Sequence, residues 1–219
     1  MTTDKKKKQI VALLKENAIP LIITLIIIIA TSYYYFFFVL QNKISLINES
    51  NVFVEVLKHI PSMIISVIFT INYFSDAKVR EQELKAMRNP VVLAVMIFLF
   101  CIGLFMLFMK YSVSFLYGAF YFLFIIAFYE EMIFRAYLYR NIKNKSSFKT
   151  AVVLSGILFG LAHWFPRCIF LGEPWYDIFS WINATGLLGT LIFAFMYEKS
   201  GTIFVPILVH FLIDYKNIF

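Results

Sequence analysis

Seven stretches of the chain are apolar for long enough to be helices in a bilayer, and short polar segments divide them. Residues 18–40 form an uncharged run, longer than the about 20 residues a helix needs to cross the hydrocarbon. It is too long for a signal-peptide core and no small-residue cleavage site follows, so it is expected to remain in the protein. Residues 60–75 are a shorter run, preceded by a mixed segment at 51–59 that either extends it or lies in the interface. Residues 90–109 and 111–129 are parted only by Lys110, which implies a very tight turn. Runs at 150–165, 178–197 and 202–213 complete the pattern, the last needing tilt or a thin bilayer to cross. The pattern predicts an all-α, polytopic membrane protein with about seven transmembrane helices. It is read as one membrane domain over residues 1–219, with a basic cytoplasmic tail at 1–17.

Composition narrows the class further. Of 219 residues, 61% are apolar and 15% charged, with 26 Phe and 13 Tyr. Too few polar side chains remain for a soluble exterior, which excludes an ordinary soluble enzyme and a large soluble domain beside the membrane part. The net charge of +7 does not point to nucleic acid, because the basic residues fall in short clusters beside apolar runs. Cys101 and Cys168 have no metal-ligand or redox spacing and read as packing residues. The tail and alternate connections hold fourteen Lys and Arg, against five on the other side, with Arg135 left inside a helix. The N terminus of this integral cell-membrane protein is therefore expected to be cytoplasmic and the C terminus outside.

Ionisable groups at membrane depth are costly and are usually retained for a purpose. Here they form three clusters: Glu130, Glu131 and Arg135; His163 with Phe159 ahead of it; and His210 with Asp214. Helical residues four apart share a face, so Glu131 can pair with Arg135 while Glu130 points about 100° away, available for chemistry. Gly156 and Gly160 lie on the side of His163, where a neighbouring helix can approach closely. His210 and Asp214 can hydrogen-bond, fixing the ring tautomer. At about 1.5 Å per residue, Glu130 is about 15 Å from Arg140, His163 about 20 Å from Thr150 and His210 about 12 Å from Thr202. The three clusters are thus expected within about two helical turns of one depth.

The chain lacks a His-Glu-x-x-His pair, a Gly-x-Ser-x-Gly elbow and the glycine-rich context of paired membrane aspartates. A glutamate and histidine able to activate water remain. The same Glu130, His163 and His210 could instead ligate zinc, and the charges could form a proton or ion path.

The succession Glu-Glu-x-x-x-Arg at 130–135, Phe-x-x-x-His at 159–163 and His-x-x-x-Asp at 210–214 resembles the CAAX prenyl protease and bacteriocin-processing family, also called the abortive infection family. The likeness covers about residues 111–214. Each motif alone is weak; their order and spacing on apolar helices make the combination specific. The resemblance implies a glutamic intramembrane endopeptidase that uses no metal and no other cofactor. By position, Glu130 resembles the general base that takes a proton from water. His163 resembles the group that orients this water and donates a proton to the leaving amine. His210 with Asp214 resembles the pair that stabilises the tetrahedral oxyanion. Glu131, Arg135 and Phe159 would shape the site.

The eukaryotic branch usually has Asn where Asp214 stands, whereas Asp also occurs in the bacterial branch. An ionised Asp would repel an oxyanion, so Asp214 is either protonated or holds His210 as the donor, and the second is expected. Richness in Ile, Lys, Asn and Phe resembles a low-GC bacterium, where prenylated tails are not expected. The implied partners are the bilayer and a hydrophobic peptide or membrane-protein terminus, in bacteriocin immunity or peptide-signal processing. The alternative is a non-catalytic immunity or regulatory protein that binds a membrane partner.

Overall fold

A computed structural model describes residues 11–35, 59–109 and 112–216 of the chain. Each of the seven apolar runs lies wholly or mainly on a helix there, the last starting in a turn at 202–203, and no strand occurs among the described residues. Four helices are long and apolar enough to cross a membrane alone: Pro90–Met109, Phe115–Lys145, Phe148–Leu171 and Trp175–Ser200. Ala18–Tyr35 and Phe204–Tyr215 are shorter, and Ile60–Ser75 makes a fifth span if joined to the helix that follows it. The chain is an all-α, polytopic membrane protein. The expected end of the first run at residue 40, most of the mixed segment at 51–59 and the turn at Lys110 lie outside the described residues.

Capping side chains set the helix starts. Ser147 accepts the backbone N–H of Thr150 at 3.2 Å, Asn89 that of Val91 at 3.0 Å and Ser112 that of Phe115 at 3.3 Å. Each satisfies a donor that the first turn leaves without a helical partner. Because caps rather than the first charge end a helix, the expected 111–129 run extends to Lys145 and the 150–165 run to Leu171. Arg140 and Arg167 are therefore helical rather than loop residues.

A second correction concerns the segment after Ser75, expected to be a polar loop. It is the helix Ala77–Arg88, bent 92° from Ile60–Ser75. Asp76 caps it, accepting the N–H of Lys78 at 2.9 Å, and Val79, Glu83 and Ala86 are its buried face. Its exposed positions are mostly polar, so a search for apolar runs passes over it.

The described helices divide into two compact units, residues 1–34 with 137–192 and residues 35–136 with 193–219. In the first, Phe148–Leu171 packs against the π-helical stretch Trp181–Leu188 almost backbone to backbone. A Cβ on Gly160 would come within 2.6 Å of the Ile182 Cα, and one on Gly186 would run into the Gly156 carbonyl oxygen. Small residues permit this approach, as the sequence suggested for Gly156 and Gly160. In the second, Ala127, Phe211 and Tyr215 form a core against Met106, Ala119 and Leu123. Pro90–Met109 buries only Gly103, which meets Phe211. Apart from Met106 and other half-buried positions, its side chains are exposed and left for lipid, as expected of a span hydrophobic all round.

Candidate active site

The second unit contains a nearly dry cluster of ionisable groups. Glu130 and Glu131 occupy one α-helical turn, Phe128–Glu131, set between the π-helical stretches Tyr121–Ala127 and Met132–Tyr139. Such widened turns are rare and occur frequently at functional sites. Glu131 and Arg135 have fully buried side chains and pair at 3.1 Å, the contact their spacing predicts. The guanidinium lies 4.9 Å from the centre of the Phe193 ring. Phe193 in turn stacks on His210, with ring centres 5.0 Å apart and planes 25° from parallel.

His210 is where the cluster converges. Its Nδ1 lies 2.8 Å from Glu131 Oε1, its Nε2 3.3 Å from Asp214 Oδ2 and 3.8 Å from Glu130 Oε2. The Asp214 contact is the one expected from the spacing of four. The short contact at Nδ1 is not, because it joins residues 79 positions apart. Although Glu130 and Glu131 project in different directions, both reach the same imidazole, at opposite nitrogens. Exposure separates them: the Glu131 side chain is fully buried, while Glu130 and Asp214 keep 15% and 26% of theirs. Glu130 and Asp214 thus keep some exposed surface, whereas Glu131 is fixed between a guanidinium and an imidazole.

His163 and Phe159 belong to the first unit. His163 Nδ1 lies 3.0 Å from the Phe159 carbonyl oxygen, to which it donates, leaving the lone pair of a neutral ring on Nε2. The imidazole stacks on Trp181 at 6.0 Å and meets the Phe159 ring edge-on at 4.7 Å. Arg167, one turn on, lies over Trp181 at 4.6 Å and pairs with Glu173 at 3.0 Å.

Sequence reasoning missed Phe193, which touches both His210 and Arg135; nothing in its local pattern sets it apart from the other Phe residues. It also missed a buried polar group built on Glu83. That group had a signal, since Val79, Glu83 and Ala86 have helical spacing behind the Asp76 cap. Among the described residues no set of three or more His, Cys, Asp and Glu side chains is arranged to hold a metal ion.

Fold and site together define a class: a multi-span membrane protein whose apolar helices enclose a glutamate and histidine cluster. Residues 112–215, just under half of the chain, match the family model of Rce1-like type II CAAX prenyl endopeptidases. No curated protein and no solved structure matches the chain. The family is one of membrane proteases acting on peptide or protein substrates, and the chain is read in that class.

Proposed function

We propose that the chain is a glutamic intramembrane endopeptidase in which Glu130 activates water without a metal. The observation that carries this reading is the His210 imidazole, held among Glu130, Glu131 and Asp214 in the family-matched segment. Glu130 retains exposed surface and so can receive a water, while Glu131 is committed to Arg135 and His210. In the proposed reaction Glu130 takes a proton as the water oxygen adds to the scissile carbonyl. The tetrahedral oxyanion is stabilised by the N–H of His210 Nε2, the ring being held at Nδ1 by Glu131, and Asp214 beside Nε2 holds that N–H until the oxyanion forms. His163, by its place in the family motif, orients the water, and its Nε2 lone pair takes the proton held by Glu130 and passes it to the leaving amine. The C–N bond then breaks, giving a carboxylate and an amine. For His210 to donate from Nε2 while Nδ1 donates to Glu131, the ring must carry both protons.

The proposed substrate is a hydrophobic peptide or a membrane-protein terminus, in bacteriocin immunity or peptide-signal processing. The proposed orientation is a cytoplasmic N terminus. The test is cleavage of a hydrophobic peptide library by the detergent-purified full chain, with and without chelator, beside Glu130→Gln. Cleavage insensitive to chelator and absent in Glu130→Gln is the expected result. Loss of activity with chelator and recovery with zinc would replace the mechanism by a metal one. No cleavage at all would leave a binding role.

A further inference from the structure

Beyond the family-matched segment, a buried carboxylate outside the proposed chemistry touches the start of the helix that carries His210. Glu83 is 2% exposed. Its Oε1 accepts the Tyr73 hydroxyl at 2.6 Å and the backbone N–H of Ile203 at 2.9 Å, and Tyr73 meets the Tyr197 hydroxyl at 3.0 Å. Tyr73, Tyr197 and Ile203 are also buried. Ile203 is the N-cap of Phe204–Tyr215, and no cap hydrogen bond comes from its own side chain. The orphan donors at this end are met from elsewhere: Thr202 Oγ1 takes Phe204 N–H at 3.2 Å and Glu83 takes that of Ile203.

The neighbouring residue grips the same turn. Gln82 Nε2 donates to the Gly201 carbonyl at 2.9 Å, and Gly201 has a φ of +71°, the left-handed form that ends the preceding helix. A Cβ at Gly201 would sit 3.6 Å from that of Ala86. Three residues of one face and edge of Ala77–Arg88 thus lie on the turn at 201–203. From Ile203 a rigid helical path of seven residues, about 10 Å, leads to His210.

We propose that Glu83 is a positioning residue: by accepting the Ile203 N–H it fixes the register of the Phe204–Tyr215 helix and hence the place of His210 against Glu130 and Glu131. The helix has three turns and a largely apolar surface that allows axial slip, and a directed buried hydrogen bond at its start opposes that slip. Segment 60–88 is on this account part of the working site, although it precedes the family-matched residues.

The test uses the full chain in detergent with isotope-labelled histidine, the His210 ring signal being assigned by its loss in His210→Gln. Glu83→Gln keeps an oxygen acceptor for Ile203 and should preserve the His210 signal and near-normal turnover. Glu83→Met keeps the volume and removes the acceptor. It should move the His210 signal and lower kcat about a hundredfold, with KM within about twofold, as expected when a reacting group shifts by about 1 Å. Ile203→Pro is the second variant, removing the donor at a φ of −72° that suits proline, and it should move the His210 signal similarly. An unmoved His210 signal in either folded variant, or equal broadening of all histidine signals, overturns the proposal. The kinetic arm rests on the peptidase reading, whereas the ring signal does not. A chain without peptidase activity therefore still returns an answer on positioning.

Discussion

Neighbouring carboxylates on one helical turn are given different work by their surroundings. Glu131 faces a buried guanidinium and the Nδ1 of His210, whereas Glu130 faces Nε2 from a partly exposed position. Glu130→Gln should lower peptide cleavage by about a thousandfold, within the range for loss of a general base, with the thermal midpoint nearly unchanged. Glu131→Gln removes the charge facing fully buried Arg135. It should act chiefly on stability, by about 3 kcal/mol as for other broken buried pairs, seen as a lower midpoint in detergent. The reverse pattern would exchange the two roles. Asp214→Asn keeps an oxygen that can accept from His210 and should retain substantial activity. Asp214→Ala and His210→Ala should each lose about 3 kcal/mol of transition-state stabilisation. Asp214→Asn as inactive as Glu130→Gln would make Asp214 an acid or base.

Among the elements, those written as long apolar runs were legible in the sequence, and those defined by a partner were not. Residues 90–109 read as a span because every side chain faces lipid or core, and the structure gives the helix those limits. Ala77–Arg88 did not, because its apolar face is only Val79 and Ala86 around Glu83 and exists only against the rest of its unit. The same reason divides the site. Glu131 with Arg135 and His210 with Asp214 are contacts of spacing four, so local geometry predicts them. His210 with Glu131, and Phe193 with both His210 and Arg135, cross between helices and have no local signature. Glycine packing lies between these cases: Gly156 and Gly160 marked a contact face, but not that Gly186 answers them. Gly186→Leu must push side-chain atoms into the Gly156 and Gly160 backbones. It should cost about 3 kcal/mol, the upper end for overpacking, as a fall in thermal midpoint. Gly172→Ala is the control, with open space around the site and only a φ of +73° to oppose it. Its cost should be about 1 kcal/mol. Equal effects of the two would mean that the close helix approach is not structural.

At the scale of the whole molecule, the remaining question is which way the chain lies in the bilayer, and charge and helix length bear on it separately. On the proposed orientation, the Lys and Arg bias would put the connection after Arg140 on the cytoplasmic side. Phe148–Leu171 has 24 residues, about 36 Å of helix, against about 30 Å of hydrocarbon. Lys145 and Arg167 should therefore label from opposite sides of the membrane. Both lie in the first unit, and each has a polar contact consistent with a membrane surface. Lys145 donates to the Glu16 carbonyl at 2.9 Å, and Arg167 pairs with Glu173 at 3.0 Å. Single cysteines at the two positions, in a chain with Cys101 and Cys168 replaced by Ala, can be treated with a membrane-impermeant maleimide in intact cells and in inverted vesicles. Position 145 should react only in inverted vesicles and position 167 only in intact cells. The opposite pattern would invert the topology and place the basic connections outside. Labelling of both positions from one side would instead make Phe148–Leu171 a re-entrant element, and the chain would then need another helix to complete the crossing.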